Sequence, residues 1–174
     1  MADAVAAFPL PLIAVVEGGV WGGASELTMS ADLVIAHRDS TFAITPAKLG
    51  VAYSSGGISR FMAALPSHIV KEMFFTAEPL SATRAYELGA VNRLAEDHEE
   101  LTTISWELAE KIAQRAPLTL RSAKAEAGAL SEPAHSDDQA AQLQELRDAA
   151  WTSDDYHEGL AAFGQRRPPK FQGR

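Results

Sequence analysis

Two glycines and a carboxylate at a fixed interval are the residues of this 174-residue chain best suited to chemistry: Gly22 and Gly23, then Glu26. They lie in Val16-Glu17-Gly18-Gly19-Val20-Trp21-Gly22-Gly23-Ala24-Ser25-Glu26. Glycine lets backbone approach a ligand closely and takes up φ values that other residues resist. A helix starting at the pair would have first N–H groups without internal partners, and its dipole would favour negative charge beside them. Together they form a place to hold an anion or an oxyanion, with Glu26 one turn into the helix. Plainer readings stand beside this one. A glycine pair also marks close helix–strand packing, and Glu26 suits a solvated or salt-bridged helix position. Tyr53 suits amphipathic packing on a loop, and Trp21 suits a pocket wall.

The elements that must hold these residues follow from local pattern. Residues 1–8 read as the last turns of a helix, stopped by Pro9 and Pro11. Leu12-Ile13-Ala14-Val15-Val16 reads as an apolar strand running into the glycine loop, and a helix follows from Gly23 to about Ala31. Asp32 to His37 is expected as a buried strand and Thr41 to Ile44 as another, across a polar turn at Arg38-Asp39-Ser40. Residues 50–57 read as a loop of small residues. Helices are expected near 57–65, 67–76 and 81–88, a short strand at Val91 to Leu94, and a long amphipathic helix over 98–115. Pro117 suits the first turn of a helix reaching Leu130, residues 132–136 read as a linker, and two further helices end near Trp151 and residue 165. The order is β-rich first and helical second, a mixed sheet core with a helical C-terminal section.

Bulk properties narrow the partners. The net charge of −8 argues against nucleic acid, which needs concentrated Lys and Arg. There is no cysteine, so disulfide and thiol chemistry are excluded. No apolar run approaches the roughly 20 residues of a membrane span, and no basic segment precedes the first apolar residues as in a secretory signal. A cytoplasmic, globular protein without membrane contact is the expectation. The five histidines, His37, His68, His98, His135 and His157, show no ligand spacing, so no metal site is expected.

Several spaced motifs carry a resemblance from Phe8 onward. They are Pro11-Leu12-Ile13-Ala14, Glu17-Gly18 through Glu26, Ala31 to Ala36, Phe42-Ala43 with Leu49-Gly50, and Ala85 to Asn92. Glu158-Gly159-Leu160-Ala161-Ala162-Phe163, with Arg167-Pro168 and Phe171, completes the series. In these the chain resembles the crotonase (enoyl-CoA hydratase/isomerase) superfamily. Within it the likeness is greatest to the methylmalonyl-CoA decarboxylases, through Val16 to Ala24, Thr45-Pro46, Leu49 to Tyr53, and His68-Ile69-Val70-Lys71-Glu72 with Phe75-Thr76-Ala77.

The resemblance implies an α/β fold: the C-terminal portion of a crotonase-like spiral of ββα units over residues 1–95, then a helical oligomerisation region over 96–174. It implies that Gly23 gives one backbone N–H of an oxyanion hole and that Tyr53 contacts a departing carboxylate. Trp21 and Gly22 would line the acyl-CoA site. Phe163 would meet the adenine and Arg166 a phosphate of a neighbouring subunit's CoA, in a homotrimer or dimer of trimers with helices around Leu143, Leu146 and Trp151 at the interfaces. Coenzyme A would enter only as part of the substrate, with no other cofactor.

The acids present favour one reaction. Hydratases of the superfamily use two glutamates; Glu26 falls on the first position, and the second is Pro46, which cannot transfer a proton. The single-acid isomerases keep the second carboxylate and not the first. Decarboxylation of a malonyl-type thioester needs no base, only donors for the enolate oxygen. A thioester hydrolase, with Glu26 activating water, and a non-catalytic assembly partner are the alternatives. Superfamily chains normally carry a further N-terminal section with the other oxyanion N–H, in an Ala-Gly-x-Asp type segment that does not occur here. A late start assignment, a truncated gene or a separate partner chain would explain this. The expectation is weak or absent activity in this chain alone, and open strand edges where neighbours are wanted.

Overall fold

The computed structural model describes residues 2–49, 52–130 and 137–174; the side chains of residues 2, 3, 137–140, 143, 147 and 163 lie outside the description. The chain forms two compact units, one of residues 1–7 and 12–107, the other of residues 8–11 and 108–174.

The first unit is built on strands that repeat in pairs. β1 (Ile13–Val16) and β2 (Gly19–Trp21) are followed by α2 (Gly23–Met29), and α1 (Ala2–Ala6) precedes them. β3 (Leu33–His37) and β4 (Thr41–Ala43) are followed by α3 (Pro46–Leu49), α4 (Ser55–Ala64) and α5 (Ser67–Thr76). β5 (Leu80–Ser81), α6 (Ala82–Glu87) and β6 (Arg93–Ala95) complete the set before α7 (His98–Ala113). Successive pairs align in parallel: Ile13 opposite Leu33 in one sheet, Gly19 opposite Thr41 in the other. This gives two three-stranded sheets, ordered β1-β3-β6 and β2-β4-β5, with β1 and β2 at their edges. The polar turn at Arg38-Asp39 therefore carries the chain from one sheet to the other.

Four elements differ from the expectation. The glycine stretch contains β2, because Val20 and Trp21 pair with Phe42 and Ala43 of β4. A short helix, α3, opens at Pro46, where a missing N–H costs nothing. β5 is two residues long and pairs antiparallel with β4, too short to leave an alternating pattern. The last strand starts later than expected, since Asn92 already engages Val34 from both sides, its N–H donating to the Val34 carbonyl and its Oδ1 accepting from the Val34 N–H.

The core of this unit lies between the sheets and the helices: Val34, Ala36, Phe42, Ile44, Phe61, Val70, Met73 and Val91 are buried together. At roughly 1.5–3 kcal/mol per fully buried aliphatic or aromatic side chain, this cluster is what holds the strands in register. Val15, Trp21, Leu49 and Phe75 stay largely exposed.

In the second unit α8 (Pro117–Leu130) packs against α9 (Asp137–Trp151), which also meets α10 (Asp154–Gln165). Trp151 is mostly exposed, with its ring edge-on to Tyr156, and Leu146 is half-buried. The Leu143 side chain and the expected linker at 132–136 lie outside the described residues. The tail after α10 folds back on that helix. Asp155, buried, accepts from the N–H groups of Gln172 and Gly173, and Glu158 accepts from Arg167 and from the Lys170 N–H. Among the described residues no helix is long and apolar enough to cross a membrane.

Candidate active site

The start of α2 is set by hydrogen bonds that use some N–H groups and spare another. Gly22 has φ 56° and ψ −120°, a conformation that a side chain would strain, and its N–H donates to the Ala43 carbonyl at 2.8 Å. Ser25, fully buried, points its hydroxyl at the carbonyls of Val20 (2.8 Å) and Ala43 (3.0 Å). The first turn of α2 is thereby tied to both β2 and β4. Gly23 is the first helical residue, so its N–H has no carbonyl to meet within the helix, and no side chain caps the helix start. A Cβ built on Gly23 would touch nothing within 4 Å, so the space before this residue is open.

One turn further on, Glu26 is the centre of a hydrogen-bonded group. The Tyr53 hydroxyl donates to its Oε2 at 2.7 Å, and Arg60 Nη1 donates to its Oε1 at 2.9 Å. Glu26 and Arg60 side chains are only 20% and 22% exposed, so the pair is partly desolvated and worth more than a surface bridge. Burial, and then the bond to Glu26 and its charge, push the Tyr53 phenol up to about 12. The phenol is therefore neutral at ordinary pH, and its one proton rests on Glu26.

Two further contacts fix the tyrosine ring. It stands edge-on to Phe61 and Phe74, with centroids 6.5 and 5.2 Å away. On its other side the backbone of Gly57 comes so close that a Cβ there would lie 2.4 Å from Tyr53 Cε1 and 3.2 Å from Glu26 Oε2. Gly57 is in turn held in the first turn of α4, where its N–H donates to the Ser54 hydroxyl at 3.1 Å.

Among the residues singled out in the sequence, Glu26 and Tyr53 are in direct contact, and Gly22 and Gly23 lie on the same helix start. Trp21 ends β2 with its indole over Gly19, about half exposed. Arg166 is exposed in the second unit, where it leaves α10 in the left-handed region at φ 53°. The Phe163 side chain lies outside the described residues. Pro46 occupies the first position of α3. Sequence reasoning missed Arg60 and Gly57. Arg60 had a signal, being the single charge in the α4 sequence Ser55–Ala64, on a helix whose Phe61 enters the core. A lone charge there calls for a partner. Of the histidines, His98 pairs with Glu17 at 2.8 Å in the open, and His135 lies outside the described residues. Among the described residues no three His, Cys, Asp or Glu side chains are grouped to hold a metal ion.

The Enoyl-CoA hydratase/isomerase family matches over residues 1–174. Methylmalonyl-CoA decarboxylase of Escherichia coli K12 is 44% identical over 168 residues, 95% of this chain and 64% of that protein. Carnitinyl-CoA dehydratase of Salmonella typhimurium is 35% identical over 167 residues, 94% of this chain and 64% of that one. The crystal structure of an enoyl-CoA hydratase/isomerase family protein from Hyphomonas neptunium superposes with a TM-score of 0.89 at 32% identity, over 99% of this chain and 65% of that one. The chain thus spans 64% of the length of the curated relatives named here.

Proposed function

The chain belongs to the enoyl-CoA hydratase/isomerase family, and on that premise we propose that it carries one wall of the active site of a CoA-thioester lyase. The reaction proposed is decarboxylation of a malonyl-type thioester, methylmalonyl-CoA to propionyl-CoA. The observation that carries this reading is the engagement of Glu26: Tyr53 and Arg60 occupy its two oxygens, and a proline stands where a second acid is needed for water addition. Identity to a methylmalonyl-CoA decarboxylase supports it.

In this reaction the bond between the α-carbon and the carboxylate breaks and CO2 leaves. The electron pair passes through the α-carbon onto the thioester oxygen. Gly23 N–H would donate to that oxygen, and a preorganised donor of this kind is worth ~3–4 kcal/mol. At the other end Tyr53 would turn its proton from Glu26 to the substrate carboxylate and hold it out of the thioester plane, where the breaking bond overlaps the π system. Glu26 would stay compensated by Arg60 meanwhile. Water would then return a proton to the α-carbon. Trp21 and Gly22 would line the entry, and Phe163 and Arg166 would serve CoA across a subunit interface of a trimer or hexamer.

A second reading rests on the same carboxylate. Each Glu26 oxygen keeps lone-pair capacity beyond its one bond, enough to take a water for thioester hydrolysis or for hydration, and a dehydratase stands among the relatives. Product analysis with methylmalonyl-CoA separates the readings. Propionyl-CoA with CO2 is expected, slowly from this chain alone, and Tyr53→Phe should lower the rate by about 10²-fold, the scale of one lost transition-state donor. Free CoA without CO2, or faster hydration of an enoyl-CoA, would overturn decarboxylation. No turnover of any thioester, even with the N-terminal section of a family relative supplied, would favour the role of a non-catalytic assembly partner.

A further inference from the structure

The Tyr53 ring cannot move far: Phe61, Phe74 and the Gly57 backbone hold it. Only the hydroxyl proton is free to turn, and its direction depends on where Glu26 Oε2 stands. Glu26 itself is a flexible side chain with three rotatable bonds, and its rotamer freedom has to be removed by something. Tyr53 contributes one hydrogen bond at 2.7 Å, and the other oxygen is taken by Arg60 at 2.9 Å. Arg60 comes from a different helix, α4, so it fixes the carboxylate relative to the scaffold that also carries Gly57 and Phe61.

We propose that Arg60 is a positioning residue that acts on Tyr53 through Glu26. By anchoring Oε1 it holds Oε2 as the resting acceptor of the Tyr53 proton, and it leaves Glu26 compensated when that proton is lent to a thioester carboxylate. The inference deepens the decarboxylase reading and rests on the role given there to Tyr53. Its test does not use turnover, so its failure and the failure of that reading are distinguishable.

The chain has three tyrosines, Tyr53, Tyr86 and Tyr156, so ¹³Cζ-labelled tyrosine gives three resonances, and Tyr53→Phe assigns the one needed. At pH 10.5 a phenol pushed up to about 12 is roughly 3% ionised, whereas an ordinary one near 10 is roughly three-quarters ionised. Glu26→Gln removes the charge and sets the scale for a Tyr53 without its carboxylate. If Arg60 positions Glu26, Arg60→Gln releases the carboxylate, and the ionised fraction of Tyr53 rises severalfold toward the Glu26→Gln value. The double variant then goes no further than Glu26→Gln alone. If Arg60 contributes only its positive charge, which lowers the Tyr53 pKa, removing it leaves the ionised fraction equal or smaller. That result would overturn the proposal. Arg60→Met, which keeps the packing stem, carries the same expectation should Arg60→Gln fold poorly. Absence of CO2 release in the product analysis would leave these populations untouched.

Discussion

Tyr53 shows how closely a single position can be specified by its neighbours, because the residue that shapes its socket has no side chain at all. Gly57 sits on α4 with ordinary backbone geometry, so its glycine identity answers to space and not to φ. An added methyl would lie 2.4 Å from the Tyr53 ring, inside any tolerable contact. Gly57→Ala is therefore expected to push the ring off Glu26 and cost about 1–3 kcal/mol, the usual cost of overpacking. The urea midpoint checks the stability change, and the Tyr53 ¹³Cζ resonance checks the displaced hydroxyl. An unchanged resonance would mean that the helix yields instead of the ring. This residue scale was only half legible in the sequence. Glu26 and Gly23 could be singled out from local spacing, since a helix start and its first turn are neighbours in the chain. Of the partners of Glu26, Tyr53 was named only through the family resemblance and Arg60 not at all, because they are 27 and 34 residues away and meet it only through the packing of α2 and α4. Gly57 left no local sign either, because a close approach has no sequence pattern.

At the scale of the element, the question is what aims the Gly23 N–H. The glycine stretch looked like a loop because glycines lack strand propensity, yet Val20 and Trp21 are held as a strand by their parallel partners on β4. That pairing brings the Ala43 carbonyl to the Gly22 N–H, and the Ser25 hydroxyl fastens the same junction from the helix side. The buried long strands and the amphipathic helices were readable because their periodicity spans many residues. β2 and β5, three and two residues long, are products of tertiary pairing. Ser25→Ala should test the junction. It leaves the partly buried Val20 carbonyl without its side-chain donor, for a cost of about 1 kcal/mol. Denaturant unfolding reads the cost, and hydrogen exchange at the Gly22 amide reads the loosening. Full protection of that amide in the variant would show that β2 and β4 alone hold it.

For the molecule as a whole, the helical unit closes on itself by a device quite unlike the apolar core of the first unit. Its tail carries Arg167, Pro168 and Pro169, and two prolines cannot donate to a regular ladder. The tail is instead captured by carboxylates on α10, with Glu158 taking the Arg167 fork at 2.6 and 2.8 Å and the Lys170 N–H at 2.8 Å. The Arg167 bonds first, and then the Lys170 N–H, bring the Glu158 carboxyl down to about 2. The sign of the pH effect follows. A carboxylate whose folded pKa is depressed gives its full contribution above the ordinary value near 4.5, and loses it as pH falls toward about 2. Hydrogen-exchange protection at Lys170 is therefore expected to be constant from pH 7 to 5 and to fall away between about pH 4.5 and 2. In Glu158→Gln that protection should be low at every pH, because a neutral amide gives a weaker acceptor than a charged carboxylate with its forked partner. Protection that survived the substitution would assign the tail's closure to Asp155, which holds Gln172 and Gly173 farther along.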